Sequence, residues 1–296
     1  MATLYTHQSS NVGKTWLLMA FMFGLIIAIG WFLSFYFNDQ IILYIAVIIS
    51  IVMNITGYWF SDKIALKVSN AHPASESEYA ELHNIVENLA ITAGLPKPRV
   101  YIIPDAAPNA FATGRNKDHA AVAVTTGLLE RLDRSELEGV IAHELAHIGN
   151  RDILISTIAV VLAGFVSIVA DFFLRSSMHR NSDSNNKAGG FMVIIGIVLV
   201  ILAPIFATLI RLAISRKREF LADATGALLT RYPEGLAKAL EKISSYERPM
   251  NKASDATAHM YISNPFGAKA RKGLHHLFAT HPPVEQRLAA LRDMSL

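Results

Sequence analysis

Two histidines and a glutamate form the pattern with the clearest chemistry in the sequence, at His143-Glu144-Leu-Ala-His147. Histidines four residues apart leave the same face of an α-helix, one turn from each other. Two imidazoles placed in this way can bind one Zn²⁺, each at about 2.0–2.1 Å. The glutamate beside them can take a proton from a water molecule that the metal has acidified. The pattern therefore predicts a hydrolytic zinc site, with one ion per subunit.

The neighbouring residues predict the helix that such a site needs. Ser135, followed three residues later by Glu138, has the form of a capping box, which marks a helix start. Gly149 is a residue type that commonly ends a helix. Apolar residues recur on the side opposite the histidines: Leu137, Ile141, Leu145 and Ile148. The predicted helix therefore has an apolar face for a core and a histidine face for a metal.

A catalytic zinc site usually has three protein ligands and one open position, so a third ligand must come from elsewhere in the chain. The chain contains no cysteine, which leaves only histidine and carboxylate ligands. We expect Glu219 to be the third ligand, because two apolar runs after His147 would cross a membrane and return the chain to the same face. Asp223, one turn after Glu219, could fix the tautomer of a ligand imidazole. His281 could reach the site or merely precede the last helix.

The composition is typical of a membrane protein. Hydrophobic residues make up 52% of the chain and charged residues 17%, with a mean hydropathy of +0.33, and an ordinary soluble protein is less apolar. Four apolar runs are close to the roughly 20 residues that cross a bilayer as a helix. They are Thr15–Phe37, Ile41–Phe60, Ile153–Phe173 and Phe191–Ile214. The net charge of +3 is small and scattered, so we expect no nucleic-acid partner.

The order of these runs predicts how the chain is divided. Residues 1–60 form an N-terminal transmembrane hairpin, and residues 151–214 form a second one. Residues 61–150 form the first part of a catalytic domain, with the histidine helix, and residues 215–296 form its second part, with the third zinc ligand. Lysine and arginine residues flank the predicted spans mainly on one side. This bias favours a lipid-embedded, multi-pass protein with both termini and the catalytic domain in the cytoplasm.

Shorter elements are predicted around the site. Ser75 with Glu78 has the form of a second capping box, for a helix that ends near Gly94. Three strands follow, and after the last apolar run the pattern predicts a helix, a second helix, a flexible loop and a closing helix. The strands are Arg99–Ile103, Asn109–Thr113 and His119–Thr125; the later segments are Ser215–Thr230, Pro233–Tyr246, Arg248–Gly273 and Pro282–Met294.

The stretch from Asn109 to Gly114 is small and uncharged, and it is bounded by proline and glycine. Such a stretch would suit an exposed edge strand beside the metal site, where an extended peptide can bind by strand addition. An ordinary half-buried hairpin would have the same composition. The sequence leaves both interpretations open.

Four motifs, taken in order, resemble those of the HtpX family of bacterial membrane zinc endopeptidases, which are related to the CAAX prenyl proteases. They are the histidine motif at 143–147, Glu219-Phe-Leu-Ala-Asp223, Asn109-Ala-Phe-Ala-Thr-Gly114 and Thr280-His-Pro-Pro283. The resemblance covers nearly the whole chain. It implies a mainly α integral membrane protein with four transmembrane helices and a zincin-like α+β catalytic domain that contains a small β-sheet.

The same resemblance implies site residues and a cellular role. His143, His147 and Glu219 would bind zinc, and Glu144 would be the catalytic acid and base. Asp223, His281 and Asn109 would be accessory residues. The protein would lie in the bacterial cytoplasmic (inner) membrane and cleave polypeptides, misfolded membrane proteins among them, in quality control under stress. Other quality-control proteases would be its partners.

Two other functions remain open from the sequence. A processing peptidase of narrow specificity, for example for lipidated tails, would carry the same motifs, because specificity depends on pocket shape. A non-catalytic membrane scaffold or chaperone could retain a structural metal site. A structural site needs a fourth protein ligand and no base, whereas here Glu144 provides a base. Three residues are candidates for stabilising the oxyanion: His281, Arg216 and Arg218.

Overall fold

The computed structural model describes residues 4–161, 216–254, 256–267 and 282–294. Its helices are α1 (Leu4–Phe37), α2 (Ile41–Val68), α3 (Ala80–Thr92), α4 (Thr126–Arg131), α5 (Arg134–Gly149), α6 (Asp152–Val161), α7 (Arg216–Thr230), α8 (Pro233–Ser244) and α9 (Val284–Arg292). Its strands are β1 (His72–Pro73), β2 (Arg99–Ile103), β3 (Ala110–Gly114) and β4 (Ala120–Thr125).

Helices α1 and α2 form an antiparallel hairpin with an apolar surface. Asn11–Phe37 and Ile41–Val68 are long and apolar enough to cross a membrane, and this agrees with the first two predicted spans. The chain reverses at Asn38, whose φ of 53° is left-handed. The helices approach so closely that a Cβ on Gly30 would collide with Ala46. Bulky side chains therefore point outward, where a bilayer would cover them.

The other two predicted spans are described only in part. The third, Ile153–Phe173, begins as helix α6, which ends its described length at Val161. The remainder of that span, the loop after it and the fourth span, Phe191–Ile214, lie outside the described residues. The prediction of four transmembrane helices is therefore supported for two of them.

The sheet is small and mixed, with the order β1-β2-β4-β3. Strands β2 and β4 are parallel, and the two outer pairs are antiparallel. Alternate residues of a strand point to opposite faces. One face packs on α3 and α5, and the other packs on the end of α2. The two faces are seen in β4, where Val122 and Val124 point to the first and Ala121 and Ala123 to the second. The sheet thus joins the histidine helix to the membrane hairpin.

The predicted helix starts were wrong by a few residues. Helix α5 is capped by Asp133 rather than by Ser135. The Asp133 carboxylate accepts from the Glu136 backbone N at 2.9 Å, and the Glu136 carboxylate accepts from the Asp133 backbone N at 2.9 Å. Two overlapping patterns with the same spacing occur here, and the aspartate forms the box. Helix α3 begins after Tyr79 without a side-chain cap, so Ser75 lies in the preceding loop.

The second half of the catalytic part agrees with the predicted order of elements. Helices α7, α8 and α9 lie within three residues of their expected bounds. The segment Arg248–Gly273 was predicted as a flexible loop. Its described residues are irregular apart from the 3-10 turn Ala258–Met260. Met250, Tyr261 and Ile262 within it are nevertheless buried, so this part of the loop belongs to the core beside the site.

Candidate active site

Helix α5 lies between α7 and α8, and glycines make both contacts close. A Cβ on Gly226 of α7 would lie 2.9 Å from the backbone N of His143. A Cβ on Gly139 of α5 would lie 2.7 Å from the backbone N of Leu236 in α8. Real Cβ atoms do not approach a backbone so closely, so these positions need glycine. The result is that α7 brings Glu219, two turns before Gly226, beside the two histidines.

Three donor atoms converge between α5 and α7. The Nε2 atoms of His143 and His147 lie 3.2 Å apart. The carboxylate oxygens of Glu219 lie 3.9 Å from the first nitrogen and 3.6 Å from the second. One ligand atom from each residue lies within 4.8 Å of the others. Two imidazole nitrogens and one carboxylate are the donor set of many catalytic zinc sites, so the residues present fit such a metal.

His143 is supported from the C-terminal part of the chain. Its Nδ1 lies 2.9 Å from Asp223 Oδ1. The Asp223 carboxylate in turn accepts two hydrogen bonds from Arg287 of α9, at 2.8 and 2.6 Å. Burial lowers the pKa of His143 to about 4, against the opposing effect of Asp223. Burial would raise the pKa of Asp223, but the charge of Arg287 lowers it to about 2. A neutral imidazole and an ionised carboxylate result.

His147 is supported from the membrane side. Its Nδ1 lies 3.1 Å from Asp152 Oδ2, at the start of α6. Asp152 Oδ1 accepts from Asn11 Nδ2 of α1 at 2.7 Å and from Arg218 Nη1 of α7 at 3.3 Å. Burial would lower the pKa of His147, but the hydrogen bond with Asp152 and the charge of Glu219 raise it to about 9. Both histidines thus have a carboxylate on Nδ1, which leaves Nε2 directed at the metal position.

The three donors line a small cavity that is partly open. Its volume is about 30 Å³, which exceeds the roughly 10–15 Å³ that one water molecule needs. Glu144 lines the same cavity and is almost fully buried. Arg218 and His259 also line it. A potential base, two imidazole ligands and a carboxylate therefore face one small space.

The outer edge of β3 is covered at its start, around Asn109 and Ala110, by a later segment of the chain. The backbone N of Ile262 donates to the carbonyl of Ala110 at 2.9 Å. The side chain of Asn109 forms two hydrogen bonds with Ser263, the residue after Ile262. Its amide nitrogen donates to the Ser263 carbonyl at 2.9 Å, and its amide oxygen accepts from the Ser263 backbone N at 3.2 Å. The expectation of an edge strand beside the site agrees with the sheet order. Of the two interpretations that the sequence left open, the exposed edge strand is contradicted, because β3 is buried along its whole length.

The structure brings together most of the residues singled out in the sequence. Asp223 lies on the far side of His143, as expected. Asn109 contacts the covering segment, and His281 lies outside the described residues. Of the oxyanion candidates, Arg218 lines the cavity, whereas Arg216 is exposed.

Sequence reasoning missed four residues: Asn11, Asp152, His259 and Arg287. Asp152 follows His147 by five residues, and this short spacing was an available signal. Asn11 and Arg287 bond partners in other helices, 141 and 64 residues away in the chain. His259 lies in a segment with no recognisable pattern. No local pattern in the sequence marks these three.

Comparisons with known proteins are consistent with this geometry. The model of the family described as "Peptidase family M48" matches residues 76–295. A "Protease HtpX homolog" from Caldanaerobacter subterraneus subsp. tengcongensis is 48% identical over 301 residues, covering 99% of each chain. Another, from Pyrococcus furiosus, is 50% identical over 287 residues, covering 96% of each. The crystal structure of S. mikatae Ste24p shares the fold, with a TM-score of 0.50 and 20% identity over 97% of this chain and 67% of that one.

Proposed function

Because the chain belongs to peptidase family M48, and is therefore a membrane metalloprotease that hydrolyses polypeptides, we propose that its metal is zinc and that it cleaves substrates at the cytoplasmic membrane face. The convergence of His143, His147 and Glu219 around one point carries this proposal. The HtpX-type relatives add the expectation of a role in membrane-protein quality control under stress, with misfolded membrane proteins as substrates and other quality-control proteases as partners.

His143, His147 and Glu219 would hold the zinc. When bound, zinc supplies a Lewis acid for the scissile carbonyl and lowers the pKa of a coordinated water. The buried carboxylates of Asp223 and Asp152 keep both imidazoles oriented with Nε2 toward the ion. The positions of the ligands depend on the close packing of α5 against α7 at Gly226.

Glu144 is the residue that we assign as the general base and acid. Its carboxylate faces the cavity from the same helix turn as the ligands. There it would accept the proton of the attacking water and deliver it to the leaving amine. Arg218 lines the cavity from the other side and is the remaining described candidate for stabilising the oxyanion. This base favours a hydrolase over the alternative of a scaffold with a structural metal site.

The proposed topology follows from the membrane hairpin. Residues 1–60 and 151–214 would form the two transmembrane hairpins of a multi-pass protein in the cytoplasmic (inner) membrane. Residues 61–150 and 215–296 would form the catalytic domain, on the same side as both termini. Asn11, near the start of the first apolar helix, contacts Asp152 at the start of α6. This contact supports the placement of both helix starts, and of the site between them, at one membrane face.

The variant Glu144→Gln tests the assigned mechanism. Glutamine keeps the shape of the side chain but cannot act as a base, so casein hydrolysis should fall by several orders of magnitude while the purified protein retains one zinc per subunit. Elemental analysis and a fluorescent casein assay measure the two properties. Glu138→Gln, partly exposed on the same helix, is the matched control and should change neither. Casein cleavage by Glu144→Gln near the parent rate would exclude Glu144 as the base.

A further inference from the structure

A second and larger pocket lies on the membrane-facing side of the sheet, away from the catalytic cavity. Its volume is about 460 Å³, and it is open to solvent. We call it the interface pocket. Trp59, Phe60 and Lys63 from the last turns of α2 form one wall. Arg99 of β2 and Arg115, which follows β3, form the other. None of these residues has a part in the proposed hydrolysis.

The position of the interface pocket along α2 corresponds to the surface of a bilayer. Residues 41–60 contain no charged residue, and a helix of this length spans roughly 30 Å, the thickness of the hydrocarbon core. Asp62 and Lys63 are the first charged residues after it. Trp16 of α1 stacks on Tyr58 of α2 with ring centroids 5.9 Å apart. Aromatic side chains of this kind concentrate at the level of lipid headgroups.

The charges of the interface pocket are unevenly paired. Arg99 forms an ion pair with Asp62 at 2.6 Å, which offsets both charges. The guanidinium of Arg115 lies over the ring of Trp59 at 4.7 Å and donates to its carbonyl at 3.4 Å. Lys63 lies over the ring of Phe60 at 5.4 Å. Within the described parts of the chain, neither Arg115 nor Lys63 has a carboxylate at ion-pair distance.

We propose that the interface pocket binds the phosphate group of an anionic phospholipid. Arg115 and Lys63 supply two cations for the phosphate oxygens, and arginine is well suited to bidentate phosphate binding. The rings of Trp59 and Phe60, about half exposed at 51% and 47%, offer an apolar surface for the glycerol and the first acyl carbons. A free phosphate would use the two cations but would gain nothing from these rings. The exposed carboxylate of Asp118, also at the pocket, opposes phosphate binding and offsets part of the charge of the two cations.

Lipid binding here would act on the catalytic part through β3. Arg115 directly follows Gly114, the last residue of that strand, and Ala112 of the same strand lines the catalytic cavity. Gly114 has a φ of 144° and lies so close to His119 that a Cβ would be 2.5 Å from its carbonyl. The turn is therefore tightly constrained. A phosphate held by Arg115 would fix this turn, and the strand behind it, at the membrane surface.

Quenching of Trp59 fluorescence tests the proposal directly. The chain has three tryptophans, and replacing Trp16 and Trp31 by phenylalanine leaves Trp59 as the only one. The full-length protein is placed in phosphatidylcholine vesicles that contain brominated phosphatidylglycerol or, separately, brominated phosphatidylcholine at the same mole fraction. We expect the anionic lipid to associate with Trp59 roughly fivefold more strongly or better, given two cations at the membrane surface. Equal quenching by the two lipids would overturn the proposal.

Two further measurements separate a specific lipid site from general electrostatic attraction and from a site for soluble phosphate esters. The double variant Lys63→Gln, Arg115→Gln should lose the preference for the anionic lipid but keep the quenching by phosphatidylcholine. The matched control Lys97→Gln, Lys238→Gln removes the same charge elsewhere and should keep the preference. A preference lost equally in both variants would mean general electrostatic attraction and would contradict a specific site. Competition by millimolar glycerol phosphate, with the preference abolished, would show a soluble phosphate ester as the ligand and refute the lipid assignment.

Discussion

His143 and His147 lie one turn apart on the same helix, yet they are held by different regions of the molecule. Asp223 and Arg287, both from the C-terminal part of the chain, support the first imidazole. Asp152, at the head of a predicted membrane span, supports the second and is itself bound by Asn11 of the first membrane helix. The first support is a buried ion pair, whereas the second is a polar network that α1, α6 and α7 share.

This difference indicates which part of the protein positions each histidine ligand. The Asp223–Arg287 pair is almost fully buried, so it holds the catalytic fold together as well as the imidazole. The network around Asp152 joins α1, α6 and α7 at one point. One ligand thus depends on the packing of the catalytic part and the other on its attachment to the membrane helices. Substitutions at each support should therefore have different effects on stability and on metal binding.

The largest effect on stability is expected at the buried Asp223–Arg287 ion pair. Arg287→Met leaves the Asp223 carboxylate buried without its partner, and loss of one member of a buried pair costs about 3–5 kcal/mol. The free energy of unfolding, measured by circular dichroism in urea, should fall by that amount. Arg292→Met on the same helix removes an exposed arginine that pairs with Glu241 at 2.7 Å and should cost about 0–1 kcal/mol. Equal losses in the two variants would contradict the comparison.

A smaller effect on stability, but a clear one on the metal, is expected at Asp152. Asp152→Ala removes the partner of His147 Nδ1, and loss of such a partner typically lowers metal affinity by about 10–100-fold. Competition with a fluorescent chelator measures this. Asp62→Ala is the control, since it removes a buried aspartate with an arginine partner, away from the cavity. Zinc affinity unchanged in Asp152→Ala would show that the ligand is oriented by other contacts.

Asn11→Ala should have a weaker effect of the same kind. It removes one hydrogen bond to Asp152, worth about 1 kcal/mol, so zinc affinity should fall roughly fivefold while the fold persists. Asn54→Ala in α2 is the matched control, because the Asn54 amide donates to the Ser50 carbonyl of its own helix and, among the described residues, to no other group. If both variants bind zinc alike, the membrane hairpin does not contribute to ligand placement.

The smallest expected signal is the difference between the two histidines in the number of protons released when zinc binds. With a pKa of about 4, His143 is neutral at pH 7 and releases none when zinc binds, whereas His147, with a pKa of about 9, must release one. Titration calorimetry in two buffers of different ionisation enthalpy counts these protons. The contribution of His147 to this count should fall toward zero as the pH rises through about 9. Because the folded pKa of His147 is raised from 6.5, the metal-free fold gains stability below pH 6.5 and loses it through about pH 9. No proton release at pH 7 would contradict the assignment.

The sequence was informative wherever a short spacing decides the geometry. His143 and His147 must share a helix face, and Glu219 followed from the return of the chain to one membrane face. The structure places these three side chains together, and their role as metal ligands stays a prediction. The edges of elements were less predictable, because two patterns with the same spacing competed at the start of α5 and only packing decides between them.

The supports of the site could not be predicted from the sequence in the same way. Arg287 reads as one more charge on an amphipathic closing helix, and only the fold places it against Asp223. Asn11 reads as a polar residue ahead of an apolar span, yet it bonds a carboxylate 141 residues later. Such contacts depend on three-dimensional proximity, for which a single sequence contains no local signal.

The segment around Ile262 and Ser263, which covers the start of the β3 edge, affects how favourably a peptide could bind there. An extended peptide that paired with the Ala110 carbonyl would have to displace the Ile262 amide that already donates to it. The hydrogen bond from the peptide and the one from Ile262 would be nearly equivalent in free energy. Replacing one by the other would therefore add little to the affinity of the peptide. The peptide would also have to compensate for the contact of Tyr261 with Phe111, whose ring centroids lie 5.1 Å apart. At the Ala110 end of this edge, strand pairing would therefore be a competition between the substrate and the protein's own chain, and side-chain contacts would decide its outcome.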